Sequence, residues 1–180
     1  EMGELLRLFE SGRQGVVLVG EAGVGKTALL EDLARRMVTE EVPSVLYDRR
    51  LVSVHLPALL AAGEGSSALE RLLLLFQEAA LSGNIVLVLE GIEALVGVST
   101  AGGMDLSEAL ASELERSRVF IIATTTPDAW SAHLERRSLG SMLARLEVLE
   151  LDKQASLEVL MAKSGFVEYE SQVFFSYAAL

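Results

Sequence analysis

The chain has 180 residues, 51% of them hydrophobic and none of them cysteine, which favours one main domain with a buried core and argues against a disulfide framework or secretion. Its 15 basic residues against 26 acidic ones give a net charge of −11, which disfavours nucleic acid as the main partner. No apolar stretch has the length of a membrane span, so we expect no membrane partner and a cytoplasmic location.

Apolar runs of strand length alternate with helical patterns along the chain. Strands that are apolar throughout are typical of a parallel sheet covered by helices on both faces, so the fold class is predicted to be α/β. In chain order the pattern predicts a helix reaching Phe9, a strand over Val16–Val19, a helix over Lys26–Met37, a strand over Leu51–Leu56, a helix over Ala68–Ala80, a strand over Ile85–Leu89, a helix over Leu106–Glu115, strands over Val119–Ala123 and Leu146–Leu151, and a helix over Ala155–Lys163. The first helix is already under way at Glu1 and the last apolar stretch has no terminator, which indicates a fragment.

A glycine-rich segment between the first strand and its helix carries the strongest functional signal. It reads GEAGVGKT and fits the phosphate-binding pattern G-x-x-x-x-G-K-[ST]. Glycines let backbone N–H groups face phosphates at a helix N-terminus, Lys26 would bridge the β- and γ-phosphates, and Thr27 would offer its hydroxyl to Mg²⁺. The alternative, a glycine-rich turn that binds nothing, is weaker because strand, loop and helix follow in the required order. The predicted nucleotide-binding residues are Gly20, Glu21, Ala22, Gly23, Val24, Gly25, Lys26, Thr27 and Ala28.

Further segments extend the match to most of the chain. They are GEAGVGKTALLEDLARRMV, the Val42–Pro43 pair, GNIVLVLEGIEALVG, GGMD and IIATTTPDAW. Together they resemble the first ATPase module of the Clp family of AAA+ unfoldases and disaggregases, such as ClpA, ClpB and ClpC. The resemblance implies a P-loop NTPase three-layer αβα sandwich with a five-stranded parallel sheet at 1–151, and the start of a small helical lid at 152–180. It also implies ATP with Mg²⁺, a hexameric ring that forms by self-association, and polypeptide substrates.

The acidic pair at the end of the third strand departs from the family pattern. The resemblance puts Glu90 where an Asp positions Mg²⁺, and Gly91 where a Glu activates the attacking water. Glu90 retains the charge and is predicted to hold the metal, but Gly91 has no acid to offer. Two rescues stay open: Glu90 itself acts as the base, or Glu93 reaches in, although Glu93 lies beyond the pair and is expected to point elsewhere.

Other functional parts of the family are altered in this sequence, or only one residue of a pair is kept. The segment matching the substrate-gripping pore loop, residues 62–67, has no aromatic or basic residue and is interpreted as a flexible loop. The arginine pair before the fifth strand is reduced to Arg145, with Arg136 and Arg137 upstream interpreted as salt-bridged surface groups. Thr124 and Thr125 end the fourth strand, where either can sense the γ-phosphate. The predicted catalytic residues are Glu90, Thr125 and Arg145, and the predicted metal ligands are Thr27 and Glu90.

Three functions remain open at this point. The favoured one is an ATP-binding AAA+ module with weak or absent hydrolysis of its own, acting as a regulatory or assembly element of a larger ring. The second is an active unfoldase module that uses Glu90 as its base. The third is a scaffold whose nucleotide site is vestigial.

Overall fold

A computed structural model describes residues 1–61, 65–99, 103, 105–172 and 174–175. The chain divides into two compact units, Glu1–Val148 and Leu149–Leu180. The first unit contains the sheet and every strand-end residue discussed below. Within the described residues, no helix is both long enough and apolar enough to cross a membrane.

The first unit is built on a five-stranded sheet with the strand order β2-β3-β4-β1-β5. All four pairings are parallel, so the predicted α/β fold with a five-stranded parallel sheet is confirmed. The strands are β1 Gly15–Val19, β2 Arg50–His55, β3 Ile85–Glu90, β4 Phe120–Thr125 and β5 Ala144–Glu147.

Helices connect the parallel strands, as the long crossovers between such strands require. Short 3₁₀ turns lie at Ser44–Leu46 and Ile92–Leu95, and a π-helical turn at Trp130–Leu134 continues α6. The helices are α1 Met2–Glu10, α2 Lys26–Val38, α3 Leu56–Ala61, α4 Gly65–Ser82, α5 Leu106–Arg116, α6 Pro127–Ala129, α7 Ser138–Met142 and α8 Lys153–Ser171.

Each face of the sheet has its own apolar core. Strand side chains such as Val16, Val88 and Ile122 pack with α1 and α2. Their neighbours along the strands, such as Val17 and Leu87, pack with α4 and α5. Since both faces are covered, the central strands carry apolar residues on both faces, which explains why they read as continuous apolar runs.

Several element boundaries differ from the sequence prediction. The second strand ends at His55, because Leu56 is buried at the start of α3. The fifth strand spans Ala144–Glu147 rather than Leu146–Leu151. Its neighbour β1 ends at Val19, whose carbonyl accepts the N–H of Val148 at 2.8 Å, so the ladder has no further partner. Residues 65–67 begin α4 instead of lying in a loop, while residues 62–64 lie outside the described residues.

The second unit consists mainly of α8. Asp152 caps this helix by accepting the N–H of Ala155 at 2.8 Å, which satisfies one of the free donors of the first turn. Helix α8 is longer at both ends than the predicted Ala155–Lys163. Several of its apolar side chains are exposed, among them Leu160 and Tyr169.

Candidate functional site

The carboxyl ends of three adjacent strands bring the candidate residues together. In the register, Glu90 of β3 lies opposite Thr124 of β4, and Thr125 lies opposite Val19 of β1. The phosphate loop begins one residue after Val19. Ligands of open parallel sheets bind at this edge, so the topology places the loop and the acidic strand end at one site.

The loop from Gly20 to Thr27 depends on glycine at three positions. Gly23 and Gly25 have φ values of +82° and +113°, a region that side chains with a Cβ disfavour. A Cβ on Gly20 would lie 2.6 Å from the carbonyl oxygen of Val148, which is a clash. The pattern therefore reflects backbone geometry as well as ligand access.

Helix α2 begins immediately after Gly25, which caps it without a side-chain hydrogen bond. The free N–H groups of its first turn therefore have no side-chain acceptor, which is the arrangement that binds anions at a helix N-terminus. Thr27 and Ala28 lie in this turn and are exposed, as are Glu21 and Ala22 in the loop.

The Lys26 ammonium group lies over the loop. Its Nζ donates to the carbonyl oxygens of Gly20 at 2.6 Å and Glu21 at 2.9 Å. Burial lowers the pKa of Lys26 below its usual value, although the charges of Glu21 and Glu93 oppose this shift. The lysine is held inside the loop, where an ammonium can bind phosphate oxygens.

Glu90 ends β3 on the face covered by α2 and is half-buried. Its Oε1 accepts a hydrogen bond from Ser53 Oγ at 2.5 Å. Ser53 belongs to β2, which lies on the side of β3 away from the phosphate loop. Sequence reasoning missed Ser53. Its signal in the sequence is a hydroxyl residue between the apolar residues Val52 and Val54 of β2.

Gly91 occupies a backbone conformation that other residues disfavour. Its φ is +71° and ψ is +51°, and its N–H donates to the backbone oxygen of Thr124 at 3.2 Å. A Cβ at this position would lie 3.2 Å from both Cγ and Cδ of Pro57. The turn after β3 is therefore adapted to glycine, so an added Glu side chain would be strained.

Two buried oxygens at this edge have no hydrogen-bond partner among the described residues. They are Oγ1 of Thr125 and Oε2 of Glu93. Thr125 is 2% exposed, and its backbone oxygen accepts the N–H of Gly20 at 3.2 Å. Buried polar atoms normally have partners, so these orphans beside the phosphate loop fit a site that receives a polar ligand. Thr124, 8% exposed, instead offers its Oγ1 to the N–H of Gly91 at 3.3 Å.

The arginines lie apart from the residues just described. Arg145 is exposed on the edge strand β5 and pairs with Glu147 at 2.5 Å. Arg137 pairs with Asp105 at 3.0 Å, as the interpretation of a salt-bridged surface group implies. Neither forms a described contact with Lys26 or Glu90. Half of the pore-loop match, residues 62–64, lies outside the described part of the chain, and the other half begins α4.

A comparison with known families identifies the fold around this site. The model for the ATPase family associated with various cellular activities (AAA) matches residues 16–146. The chain belongs to this family. Membership implies nucleotide binding. The matched residues include the phosphate loop and the ends of β3 and β4.

The individual relatives of this chain include Clp proteins and Hsp104. A probable ATP-dependent Clp protease ATP-binding subunit of Chlamydia pneumoniae is 31% identical over 98% of this chain. ClpB of Aquifex aeolicus is 35% identical over 85% of it. The structure of an S. cerevisiae Hsp104–ADP complex matches 96% of this chain with a TM-score of 0.84 and 25% identity. A closed state of Hsp104 with ATPγS and FITC casein gives a TM-score of 0.77 at 27% identity, over 94% of this chain.

This AAA chain is therefore a module related to ClpA, ClpB and Hsp104, which confirms the predicted relation to the Clp family. It spans 21% of the Chlamydia relative and 16% of the Aquifex one, and 30% of each Hsp104 chain. The roles of Glu90, Thr125 and Arg145 stay predictions.

Proposed function

We propose that this chain binds Mg-ATP as the AAA module of a Clp-type chaperone or unfoldase-like protein, and that its own hydrolysis is weak or absent. The observation that carries the proposal is the phosphate loop. Left-handed glycines, a helix start without a side-chain cap and the ammonium group of Lys26 converge there.

The residues at the strand ends fit a nucleotide with its metal. The loop from Gly20 to Ala28 would hold the phosphates, while the Thr27 hydroxyl and Glu90 would hold Mg²⁺ directly or through its waters. Bound Mg²⁺ would neutralise charge between the β- and γ-phosphates. The orphaned Thr125 hydroxyl is placed to donate to a polar group at the end of β4.

Weak hydrolysis follows from the turn after β3. Gly91 has no side chain to orient water, and its φ of +71° resists the introduction of one. Positioning and electrostatic stabilisation remain without it, and these alone assist phosphoryl transfer. We therefore expect slow cleavage rather than fast turnover.

Self-association into a ring, hexameric by resemblance, is part of the proposal. Arg145 is exposed on an edge strand, so a neighbouring subunit can reach it once the salt bridge between Arg145 and Glu147 breaks. The names of the relatives include a protease ATP-binding subunit and chaperones, and one Hsp104 structure includes casein. Protein substrates or Clp-type partners are accordingly proposed for the complete protein.

Titration calorimetry with Mg-ATP and Mg-GTP tests the binding step. We expect saturable Mg-ATP binding that Lys26→Ala abolishes and that Lys153→Ala, a change at an exposed lysine in the second unit, leaves intact. Equal affinity of wild type and Lys26→Ala, or no heat in either, would contradict the proposal. Tighter binding of GTP would reject adenine as the base.

A further inference from the structure

The turn after β3 places a different carboxylate near the missing one. Glu93 lies in the 3₁₀ turn Ile92–Leu95, which Ile92 and Leu95 anchor in the core with no exposed surface. A Cβ built on Gly91 would lie 3.8 Å from Glu93 Oε1. The carboxylate of Glu93 thus lies beside the point where a side chain at position 91 would begin, contrary to the expectation that Glu93 points elsewhere.

The other oxygen of this carboxylate is buried and has no hydrogen-bond donor among the described residues. A buried acceptor without a donor costs about 1–3 kcal/mol, so such atoms are retained where a ligand or water completes them. The neighbouring orphan, Thr125 Oγ1, belongs to a residue whose backbone receives the first N–H of the phosphate loop. Both unsatisfied oxygens therefore lie at the nucleotide edge of the sheet.

Electrostatics link Glu93 to the phosphate loop as well. Burial lowers the pKa of Lys26, and the charges of Glu21 and then Glu93 act in the opposite direction. Glu93 is therefore close enough to interact with the ammonium group that the proposed function assigns to the β- and γ-phosphates.

Glu90 is less suited to accept a proton from water. One of its oxygens already accepts the Ser53 hydroxyl at 2.5 Å, toward β2 and away from the loop. Its remaining oxygen is assigned to magnesium water. Glu93 has a buried oxygen with no described donor, so it is the carboxylate available for a further ligand.

We propose that Glu93 is the general base of this module, replacing the acid that Gly91 lacks. The water oxygen bonds to the γ-phosphorus while the bond from phosphorus to the β,γ-bridging oxygen breaks. The electron pair of that bond stays on ADP, and the water proton passes to the Glu93 carboxylate. The inference rests on the proposed ATP binding and assigns the residual slow cleavage to one residue.

Single-turnover cleavage tests this assignment. The protein, in excess over limiting γ-³²P-ATP with Mg²⁺, is compared with Glu93→Gln, Glu93→Asp, Glu90→Gln and Glu108→Gln, an exposed acid on α5. The Lys26→Ala variant gives the background to subtract. We expect a slow wild-type rate that falls by roughly 100-fold or more in Glu93→Gln, at the low end of a general base's contribution. We expect partial recovery in Glu93→Asp and no change in Glu108→Gln.

Two readouts separate catalysis from structure. Glu93→Gln should bind ATP within about threefold of wild type, because a general base stabilises the transition state and contributes little to ATP binding in the ground state. The Glu90→Gln rate should recover when Mg²⁺ is raised, and the Glu93→Gln rate should not.

Three results would overturn the inference. Glu93→Gln could cleave at the wild-type rate, Glu90→Gln could abolish cleavage at saturating Mg²⁺, or wild type could cleave no faster than Lys26→Ala. Filter-bound ATP measured in the same samples separates the two proposals. Bound but uncleaved ATP leaves the proposed function standing, whereas absent binding contradicts that function itself.

Discussion

The turns after β1 and β3 use the same backbone device at the same edge of the sheet. Each places glycine in the left-handed region, at +82° and +113° in the phosphate loop and at +71° in Gly91. In the first turn, the absence of side chains lets the backbone adopt the phosphate-loop conformation. In the second, we propose that it leaves the site without the acid that orients water in the Clp family.

In the proposed function, holding a nucleotide and cleaving it depend on different strand ends. The loop after β1 supplies N–H groups and Lys26, whereas the turn after β3 supplies carboxylates. One can therefore change while the other is retained. The predictions below concern these two turns and the residues around them, beginning with the largest expected effect.

Lys26→Ala should remove the stabilisation that Mg-ATP gives to the folded chain. A ligand at one hundred times its dissociation constant stabilises by about 2.7 kcal/mol, and the variant loses the ammonium group that lies over the loop. Denaturant unfolding with and without Mg-ATP measures the difference. Lys153→Ala is the matched control. If Mg-ATP still stabilised Lys26→Ala, the proposed role of the phosphate loop would be contradicted.

Gly91→Ala should destabilise more than Gly83→Ala. Both glycines have similar φ values, +71° and +69°, but a Cβ on Gly91 meets Pro57 at 3.2 Å whereas Gly83 has no neighbour within 4 Å. Left-handed strain costs roughly 1–2 kcal/mol for each, and the contact adds about 1 kcal/mol of overpacking. Urea unfolding compares the two variants directly.

Two further variants sharpen that result. Gly91→Asn should be milder than Gly91→Ala, since Asn tolerates the left-handed region better. Gly91→Glu should be destabilised as much as Gly91→Ala, because its Cβ meets the same strain. Since that strain shifts the turn that would carry the added carboxylate, we do not expect Gly91→Glu to restore fast cleavage. Equal stability of the Gly83 and Gly91 alanine variants would show that the Pro57 contact is relieved at no cost.

Asp105 anchors the segment that follows the second turn. It accepts the N–H of Gly97 at 2.9 Å, caps α5 through the N–H of Ser107 at 2.8 Å, and pairs with Arg137. Asp105→Ala should cost about 1–2 kcal/mol, the range for a lost helix cap. Glu108→Ala, at an exposed site on the same helix, should cost little.

The contribution of Asp105 depends on pH. Burial alone would raise its pKa, but hydrogen bonds from Ser107 and Gly97 and the charge of Arg137 outweigh it, so the pKa lies below the ordinary 3.8. Its stabilisation is complete above that ordinary value and is lost as the pH falls through the lowered one. The stability gap between wild type and Asp105→Asn should therefore close in acid, and a gap independent of pH would contradict this.

Ser53→Ala should have the smallest effect. The hydroxyl donates to Glu90 Oε1 at 2.5 Å from an exposed site, and one such hydrogen bond contributes about 0.5–1.5 kcal/mol. We expect a drop in stability near the lower value and a modest loss of Mg²⁺ affinity in nucleotide titrations. Unchanged Mg²⁺ affinity would show that the hydrogen bond from Ser53 does not affect the proposed metal binding by Glu90.

Continuous apolar runs and the phosphate pattern predicted the sheet and the loop, because both depend on local sequence. The fifth strand was misplaced since Leu149 and Leu151 are apolar yet 65% and 50% exposed. Strand length there is set by where β1 ends, which a single segment does not reveal. Similarly, glycine and serine at 65–67 suggested a loop, but α4 begins there.

The site was predictable only in part. Spacing from the family pattern located Glu90 and Gly91, yet it says nothing about side chains that approach from other strands or from later turns. Ser53 and the orientation of Glu93 depend on pairing and backbone curvature. These tertiary features decide which carboxylate lies beside position 91.

The central claim is that ATP is held here but cleaved slowly. Its most direct test mixes excess protein with limiting γ-³²P-ATP and Mg²⁺, then measures retained nucleotide and released phosphate in the same tubes over time. We predict that ATP is retained and leaves the protein mostly uncleaved, with neither signal in Lys26→Ala. Release of phosphate as soon as ATP binds would contradict the claim.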